Sequence, residues 1–585
     1  MNRRTALATL AAAPLVQSQE KSKRGKLPAK LDASRISNMR DDPDWYHHSL
    51  GLAAIGDELV CTYRHTDEHI ASISDIYSCR SKDGGRTWID HQLISKSSFE
   101  KDKACWVAPQ LGKTRKGRLL LLSDLGNKLT KFDWPMLSQW QMADRGMSNH
   151  LWTSDDKGKT WQGPRKIDSW GGEPSYIIEL SDGTLLYTRT DSQPTNAKKH
   201  PSMPWGPNYY RSTAVFSRDG GATWNETHPV FDDPLVGDCE VGIAEFAPNQ
   251  IIAISRIGDA GSALGQPSRK VVSTDGGRNW SKPELFPVYA HRPIVGKLAN
   301  GKMFMSYRNA WGTPGTCVFA FDINEKFSFQ PNSFIWDESV CRLDSKQLTI
   351  ASTEGNYGCC EFSIYPVEDD DSQVLFEAEV QVDSAAPNAC LIGAGVYLRL
   401  LPNRVELADR PAEGFAIEPQ RFHKYRIVNH GPRVEIFVDG EKKLEAKTDG
   451  IHNRRIRFGN RVAARRPGSS EGQKTSANTK RPLAAPLYSD NAGISHWRSI
   501  RVEVKNRRDT SVAWSWSPKQ GYPDQFRRDR VLMLEPNGSF SAGNSGYSAW
   551  AQLPNGEIVV VDYTSSHPPK PHPILRSYRL DAAWF

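Results

Sequence analysis

One eight-residue motif occurs four times in the sequence and constrains the possible folds of this chain more than any other feature. The first copy reads Ser-Lys-Asp-Gly-Gly-Arg-Thr-Trp over residues 81–88, and the shared pattern is S-x-D-x-G-x-[TN]-W. The other copies cover residues 154–161, 217–224 and 273–280, at spacings of 73, 63 and 56 residues. Each follows a short run of β-prone residues. Such spacing predicts a repeat architecture.

The chemistry of the motif is that of a tight turn between two strands. An Asp carboxylate accepts hydrogen bonds from nearby backbone N–H groups, and Gly supplies positive φ. The Trp ring is expected to pack the turn onto its sheet. We therefore assign a structural role to the four repeated aspartates, which are Asp83, Asp156, Asp219 and Asp275.

These motifs are Asp-boxes, and the chain resembles the sialidase (neuraminidase) superfamily of BNR-repeat β-propellers. The resemblance implies that the boxes lie away from the active face. Turn signals divide the chain into six four-stranded units, at 45–98, 104–168, 171–232, 237–288, 290–340 and 507–585. The expected fold is all-β, a six-bladed β-propeller with an inserted β-sandwich (jelly roll). Blades one to five fall within 41–344 and the last blade within 504–585.

The predicted insertion covers residues 345–503, which lack an Asp-box. Strand-like runs such as 376–382 and 433–441 alternate apolar and polar residues. This stretch resembles the concanavalin-like or laminin-G-like jelly roll. The resemblance leaves two roles open, carbohydrate binding and a structural buttress beside the propeller.

The N-terminus predicts export. Arg3 and Arg4 precede the Ala-rich run 8–16 and resemble a bacterial twin-arginine signal over residues 1–19. The apolar run is too short to span a membrane. A disordered linker is expected at 20–40, and the protein is expected to be periplasmic or extracellular. The nine cysteines form no metal-binding spacing and are expected to be buried thiols.

The net charge of +8 is compatible with an anionic substrate. The densest runs of basic residues in the chain are at 454–466 and 527–530. Their composition is typical of solvated loops and not of a basic surface that binds nucleic acid. We therefore expect no nucleic-acid partner. No metal-ligand spacing stands out in the sequence, so neither a catalytic metal nor a cofactor is predicted.

A propeller binds its ligand at the centre of one face, where inner strands begin and second strands end. In five units these two points are 16 residues apart, as from His48 to Arg64 and from Glu240 to Arg256. Four second strands end in Arg, which suggests guanidinium forks clamping an anion. The predicted substrate-binding residues are Arg64, Arg189, Arg256, Arg292, Arg308, His48, Glu173 and Trp106.

The segments 544–556 and 238–256 resemble those that carry the nucleophilic tyrosine and its glutamate in sialidases. The resemblance implies that Tyr547 is the nucleophile and Glu240 its base. A phenol is a poor nucleophile at neutral pH, so a carboxylate that takes its proton is needed. The acid is expected in the loop 64–69, with Asp67 preferred over its neighbours Glu68 and His69.

The sequence departs from the family where sialidases open the first blade with Arg-Ile-Pro. Residues 46–50 read Tyr-His-His-Ser-Leu and contain no arginine. The leading hypothesis is a retaining, sialidase-like exo-glycoside hydrolase that acts on an acidic sugar at glycan ends. The alternatives are a lyase or hydrolase of a uronic-acid or sulfated glycan, and a non-catalytic glycan-binding propeller.

Overall fold

The computed structural model describes residues 27–128, 131, 147–194, 208–233, 236–257, 267–309, 312–335, 337–353, 360–364, 372–448, 456–460, 492–506, 511–536, 544–565 and 572–585. The predicted export signal at 1–19 lies outside these residues. Nearly all of the regular structure is β. Within the described ranges the α-helices are Phe99–Asp102 and Gln525–Arg530. Short 3-10 turns occur at Ala33–Arg35, Glu338–Val340, Pro518–Gln520 and Ala582–Trp584.

Six antiparallel sheets form the six blades of a β-propeller, and blades one to four take their strands in chain order. Blade one contains Tyr46–Ile55, Glu58–Thr66, Ser74–Ser81 and Ile89–Ser95. Blade two contains Ala104–Trp106, Gln110–Lys113, Leu119–Asn127, Met147–Ser154 and Gln162–Asp168. Blade three contains Ile178–Glu179, Leu185–Pro194, Asn208–Ser217 and Glu226–Phe231. Blade four contains Asp238–Ala247, Gln250–Ile257, Arg269–Ser273 and Glu284–Leu285.

The last two blades are completed by strands that are distant in sequence. Blade five contains Ala290–Lys297, Met303–Asn309, Gly315–Phe321 and Val531–Pro536. Blade six contains Ala549–Gln552, Ile558–Thr564, Ile574–Leu580 and, as its outer strand, Ile36–Arg40. Because the first strand of the chain pairs with the last, the ring is closed by hydrogen bonds between the two ends of the described chain.

These pairings correct three predicted boundaries. Residues 36–40 form a strand, although the sequence analysis placed them in a disordered linker. The fifth unit does not end at 340, and the last blade does not begin at 504, because Val531–Pro536 pairs with Gly315–Phe321 of blade five. No Asp-box precedes that strand, so nothing in the local pattern indicates the blade to which it belongs.

The inner strands of neighbouring blades approach one another closely at glycines. A Cβ on Gly112 would lie 2.0 Å from the carbonyl oxygen of Ile177 in the next blade, and one on Gly242 would lie 2.1 Å from that of Pro293. Only a residue without a side chain fits at these positions. The contacts hold the inner strands together around the centre, where the candidate site lies.

The four Asp-boxes form the turns between the two outermost strands of blades one to four. In the first box, Asp83 accepts hydrogen bonds from the backbone N–H and the hydroxyl of Thr87, at 2.9 and 2.6 Å. The Trp88 indole donates to the Gly85 carbonyl at 3.3 Å and to Ser577 of blade six at 3.1 Å. The predicted structural role of the boxes is confirmed.

Two further sheets are formed by residues between the third and fourth strands of blade five. The seven-stranded sheet contains Asn332–Ile335, Cys360–Ile364, Ile456–Gly459, Leu391–Gly393, Tyr397–Leu401, Arg404–Leu407 and Gly414–Ala416. The eight-stranded sheet contains Cys341–Leu343, Leu348–Ser352, Gly493–Lys505, Gln373–Ala385, His423–His430, Arg433–Val438, Glu441–Lys447 and Ser511–Trp516. These strands begin before residue 345 and end after 503, so the predicted limits are too narrow. Both sheets contribute to one hydrophobic core that includes Phe362, Phe376, Phe458 and Trp497.

The eight cysteines within the described ranges are buried, as expected. Cys61 and Cys79 occupy directly paired positions on neighbouring strands of blade one. In the part of the chain that the structure describes, no helix has the length and hydrophobicity needed to cross a membrane.

Candidate active site at the centre of the propeller

The inner strands share an unusual backbone feature where they begin. Non-glycine residues have positive φ in four blades, and Gly546 has φ of 88° in blade six. The four residues are Ser49 at 52°, Glu173 at 49°, Glu240 at 45° and Arg292 at 50°. Left-handed backbone is rare outside glycine and costs on the order of 1–3 kcal/mol per residue. Strain repeated at corresponding positions indicates that this ring of residues is held for a function.

Polar side chains at the ends of second strands support this strained backbone. Asp124 accepts a hydrogen bond from the backbone N–H of Glu173 at 2.8 Å. Thr190 accepts one from the N–H of Glu240 at 3.1 Å. Asp562 accepts one from the N–H of Gly546 at 2.8 Å. The first two bonds cross between neighbouring blades, so the ring is braced as a unit.

Tyr547 and Glu240 meet at the centre, although they are 307 residues apart in sequence. The Tyr547 hydroxyl donates a short hydrogen bond to Oε1 of Glu240. The Arg256 guanidinium donates to the same hydroxyl at 3.1 Å and lies 2.9 Å from the same carboxylate oxygen. Glu240 is buried, whereas Tyr547 is only partly buried. The Tyr547 hydroxyl is therefore held between the Glu240 carboxylate and the Arg256 guanidinium.

Two more arginines lie against the Tyr547 ring. The guanidinium carbon of Arg308 is 4.1 Å from the ring centroid and that of Arg292 is 5.6 Å from it. Arg308 also donates to the Tyr563 hydroxyl and to the Ser545 carbonyl, both at 2.6 Å. Arg292 donates to the Pro174 carbonyl at 2.7 Å through one nitrogen. Three of the predicted arginines therefore surround the tyrosine.

The surroundings set the protonation states of this pair. Burial and the nearby charge of Glu240 raise the pKa of Tyr547 well above its usual value. Burial acts to raise the pKa of Glu240, but the charges of Arg256 and Arg292 and the hydrogen bonds outweigh burial and leave that pKa below its usual value. A neutral phenol thus faces an ionised carboxylate, which is the arrangement needed for a base to activate a nucleophile.

Glu173 has the opposite character. Burial, together with repulsion from Glu240, raises the pKa of Glu173 well above its usual value. Two neighbouring carboxyl groups with pKa values pushed apart can serve as one acid and one base. Glu173 therefore holds its proton more tightly than Glu240 does.

Blade one supplies a histidine-rich wall. Burial, with the charge of Arg64, lowers the pKa of His48 well below its usual value, so this imidazole is neutral. His48 stacks on His69 with ring centroids 5.4 Å apart, and His69 contacts the Tyr46 hydroxyl at 3.1 Å. Arg64 is buried and donates to Ser74 at 2.8 Å. The wall carries little charge apart from Arg64.

Two predicted substrate-binding residues are directed elsewhere. Arg189 is buried in an ion pair with Asp168, and a second guanidinium nitrogen lies 3.6 Å from Asp191. Trp106 belongs to a hydrophobic core between blades one and two, with its ring centroid 4.9 Å from that of Trp152. Both stand at the predicted backbone positions, but their side chains are occupied by neighbours that the 16-residue interval does not reveal.

The predicted acid, Asp67, lies in the loop after the second strand of blade one. One carboxylate oxygen accepts from the backbone N–H groups of Ser72 at 2.8 Å and Ile73 at 3.1 Å, and the other accepts a short bond from the Ser72 hydroxyl. These bonds fix the loop. Proton donation by Asp67 would require this network to loosen.

The sequence analysis did not include Tyr563, Asp124 or Asp562 among the site residues. Tyr563 binds Arg308, and Asp562 supports Gly546 next to the tyrosine. Burial raises the pKa of Asp562 to about 7. All three end second strands, and Tyr563 follows Tyr547 by the same interval of 16. That interval was the available signal for Tyr563 and for Asp562, which follows Gly546 by 16, but not for Asp124, because blade two breaks the interval.

Residues 57–312 match the family model of the BNR repeat-like domain. The match runs from the second strand of blade one to the end of blade five's second strand, and it confirms the predicted BNR-repeat propeller. No curated protein matches the chain.

Three solved structures illustrate what the fold is similar to. A protein of unknown function from Dyadobacter fermentans is 16% identical, with a TM-score of 0.41, over 56% of this chain and 93% of its own. A Hadza microbial sialidase is 17% identical, with a TM-score of 0.35, over 52% and 62%. A mutant of the Trypanosoma rangeli sialidase is 12% identical, with a TM-score of 0.36, over 78% and 91%.

Proposed function

We propose that this protein is a retaining exo-glycoside hydrolase that removes an acidic sugar from the ends of glycans. Tyr547 attacks the anomeric carbon while Glu240 takes the phenol proton. The leaving-group oxygen departs with a proton from a carboxylic acid. The carboxylate left on the acid then takes a proton from water, whose oxygen attacks the anomeric carbon. The tyrosyl–sugar bond breaks, and Glu240 returns its proton to the phenol oxygen. Most retaining glycosidases use a carboxylate as nucleophile, and sialidases are the exception that uses a tyrosine.

The observation that carries this proposal is the placement of the Tyr547 hydroxyl. It donates to an ionised carboxylate and accepts from Arg256. A tyrosine that only filled a core would not need a buried glutamate and three guanidinium groups around it. Burying such charges costs several kcal/mol each unless they are paired or bind a ligand.

The charges around the tyrosine favour an anionic sugar. One terminal nitrogen of Arg292 is buried and has no hydrogen-bond partner among the residues described. The same holds for Oε2 of Glu240 and Nε2 of His48. Buried polar atoms are nearly always bonded in folded proteins. A ligand carboxylate at Arg292 and a sugar hydroxyl at Glu240 would satisfy two of these atoms.

Two carboxyl groups are candidates for the acid. Asp67 lies on the loop expected from the resemblance, but its oxygens hold that loop together. Glu173 is buried, and burial with repulsion from Glu240 raises its pKa. We propose Asp67 as the acid that protonates the leaving-group oxygen, with Glu173 as the alternative.

The decisive experiment measures turnover of a fluorogenic sialoside by the wild type and by Tyr547→Phe. Loss of the nucleophile is expected to lower kcat by on the order of 10⁴-fold or more. Tyr77→Phe is the matched control, because Tyr77 lies on the third strand of blade one and packs in its hydrophobic core. This control is expected to keep wild-type turnover.

Other outcomes separate the alternatives. If the wild type does not cleave sialosides, terminal uronic-acid and sulfated glycosides are tested in the same way. Cleavage of one of them that is lost in Tyr547→Phe changes the sugar but keeps the mechanism. Equal turnover by Tyr547→Phe and the wild type would overturn the mechanism.

A polysaccharide lyase is the second candidate, and one observation favours it. His48 is buried and neutral, and its Nε2 atom has no partner among the described residues. A neutral imidazole near Arg64 can remove a proton next to a uronic-acid carboxylate. That reaction yields an unsaturated product that absorbs in the ultraviolet. Hydrolysis yields none, so absorbance during digestion distinguishes the two.

A further inference from the structure

A second cluster of ligand-type side chains lies outside the candidate active site. His47 and His65 are paired across the first two strands of blade one, and Asp42 follows the outer strand of blade six. One ligand atom from each of the three lies within 4.8 Å of the others. The next residue, His48, belongs to the wall of the central site, so the two sites begin on adjacent residues of the same inner strand.

The histidines of this cluster are buried, and three of their four ring nitrogens have no hydrogen-bond partner among the described residues. His47 has no exposed surface and His65 is 5% exposed. Both ring nitrogens of His47 and Nδ1 of His65 have no partner among the residues that the structure describes. Leaving such groups unpaired costs about 1–3 kcal/mol each. A bound species that accepts their lone pairs would remove this cost.

The cluster has a rigid surround. The Trp45 ring stacks on His65 with centroids 4.2 Å apart, and Tyr77 contacts the same imidazole at 5.0 Å. Rings fixed by aromatic packing keep their nitrogens aimed at one point. A site of this kind needs little reorganisation when it binds its ligand.

A fourth group stands nearby. His572, which precedes the third strand of blade six, lies close enough for its charge to act on His47, and the charge of Asp42 acts on it in turn. Its Nδ1 atom is buried and unpaired among the described residues. His572 is a neighbour of the cluster, whose three ligand atoms come from Asp42, His47 and His65.

The cluster also contains groups that compete with a cation. Arg40 lies 3.5 Å from one oxygen of Asp42, and the backbone N–H of Asp44 donates to the other at 3.3 Å. The Arg40 guanidinium is held partly by the Tyr63 hydroxyl at 2.8 Å. Both contacts of the Asp42 carboxylate are long, so it can exchange them for a bond to a metal ion.

From this geometry we propose that Asp42, His47 and His65 bind one transition-metal ion of the zinc type, with a fourth coordination position open to water or another ligand. Imidazole with a single carboxylate favours zinc, cobalt, nickel or copper over calcium or magnesium, which prefer oxygen ligands. Zinc–nitrogen bonds are about 2.0–2.1 Å long, so the ligands must move together by small side-chain rotations. The ion would tie the inner strand of blade one to the chain that closes the ring.

The experiment uses the full-length, tag-free protein stripped with a chelator. Calorimetric titration with Zn²⁺ is expected to show one equivalent bound, and excess zinc is expected to raise Tm by roughly 3 °C or more. Co²⁺ in place of zinc is expected to produce visible absorption bands typical of tetrahedral coordination. These readouts do not depend on any enzymatic activity.

Variants locate the ion. His47→Ala and His65→Ala are expected to lose saturable binding and the cobalt spectrum, whereas His47→Cys is expected to keep both, because a thiolate is also a zinc ligand. His228→Ala, which alters a half-buried histidine of blade three, serves as the matched control and is expected to bind like the wild type. Equal Tm values of variants and wild type in chelator would show that they fold.

If a buried histidine variant does not fold, Asp42→Asn replaces it, since Asp42 is only partly buried. This change is expected to weaken zinc binding at least 10-fold. Binding of no ion by the stripped wild type would overturn the proposal and indicate that the histidines bind only water. Unchanged binding in both His47→Ala and Asp42→Asn would overturn it as well.

Discussion

Blades three and four bring the same two residue types to the centre with the same spacing, but they use them differently. In blade four, Arg256 pairs with Glu240 and contacts the tyrosine. In blade three, Arg189 pairs with Asp168 and turns away from Glu173. The pKa of Glu240 is therefore lowered, whereas Glu173, without the Arg189 guanidinium beside it, has a raised pKa.

The difference shows what a sequence interval determines. An interval of 16 residues across a tight hairpin brings two backbone positions to direct pairing in blade one and to within one residue of it in blades four and five. It does not fix which partner a long side chain selects. Arg189 is diverted by Asp168, which ends the outer strand of blade two. Two blades with one pattern thus provide two carboxyl groups whose pKa values are shifted in opposite directions.

The largest expected effects come from replacing Arg256 and Arg189, one of which should change activity and the other stability. Arg256→Ala should lower kcat/KM by about 10²–10³-fold, because it removes a cation from the reacting tyrosine. Arg189→Ala should instead destabilise the fold by about 3–5 kcal/mol, because it leaves buried carboxylates unpaired. Steady-state kinetics and denaturant unfolding measure the two effects. An activity loss in folded Arg189→Ala as large as in Arg256→Ala would contradict this division.

The acid can be identified with leaving groups of different acidity. A glycoside with an acidic phenol leaves without help, whereas a natural alcohol must be protonated. The acid variant should therefore lose about 10²–10⁴-fold on the alcohol glycoside and much less on the phenol. We expect this pattern for Asp67→Asn. If it appears in Glu173→Gln and not in Asp67→Asn, blade three supplies the acid.

Replacing Glu173 and replacing Glu240 should change the stability of the fold in opposite directions. The folded-state pKa of Glu173 is raised, so wild-type stability falls as pH rises above about 4.5, where the unfolded chain ionises. Glu173→Gln should then be more stable than the wild type at pH 7, with the difference vanishing near pH 4. The pKa of Glu240 is lowered, so Glu240→Gln should be less stable at pH 7. Tm measured from pH 4 to 8 tests both, and a same-sign result would refute the assignment.

The smallest effect is expected where the two blades are alike. In the Asp-boxes, the hydroxyl of Thr223 and the amide of Asn279 donate to their aspartates at 2.7 and 2.6 Å. Thr223→Ala and Asn279→Ala should each lower Tm by about 2 °C or less, because each removes one exposed hydrogen bond. Turnover should not change. A loss of turnover in either variant would show that the boxes affect the centre.

Much of the fold could be predicted from short-range signals. The boxes repeat, their turns need specific residues, and four blades follow one another along the chain, so local pattern was sufficient. Val531–Pro536 could not be assigned to blade five, nor Ile36–Arg40 to blade six, because each pairs with a strand that no nearby turn connects to it.

The candidate site was predictable to the same degree. Positions on the ring followed from the interval of 16, and the contact of Tyr547 with Glu240 agrees with the resemblance. The destinations of Arg189 and Trp106 depend on neighbours in other blades. The cluster of Asp42, His47 and His65 was missed because its members share no spacing known for metal ligands.

The outer strand of blade six has a consequence for synthesis. Ile36–Arg40 is among the first described segments to leave the ribosome, but its partner, Ile574–Leu580, is among the last. At about 5–20 residues per second, the first strand waits at least tens of seconds for that partner. During this time its edge is open to other chains. The nascent protein therefore needs either a chaperone over this segment or a sequence that pairs poorly elsewhere.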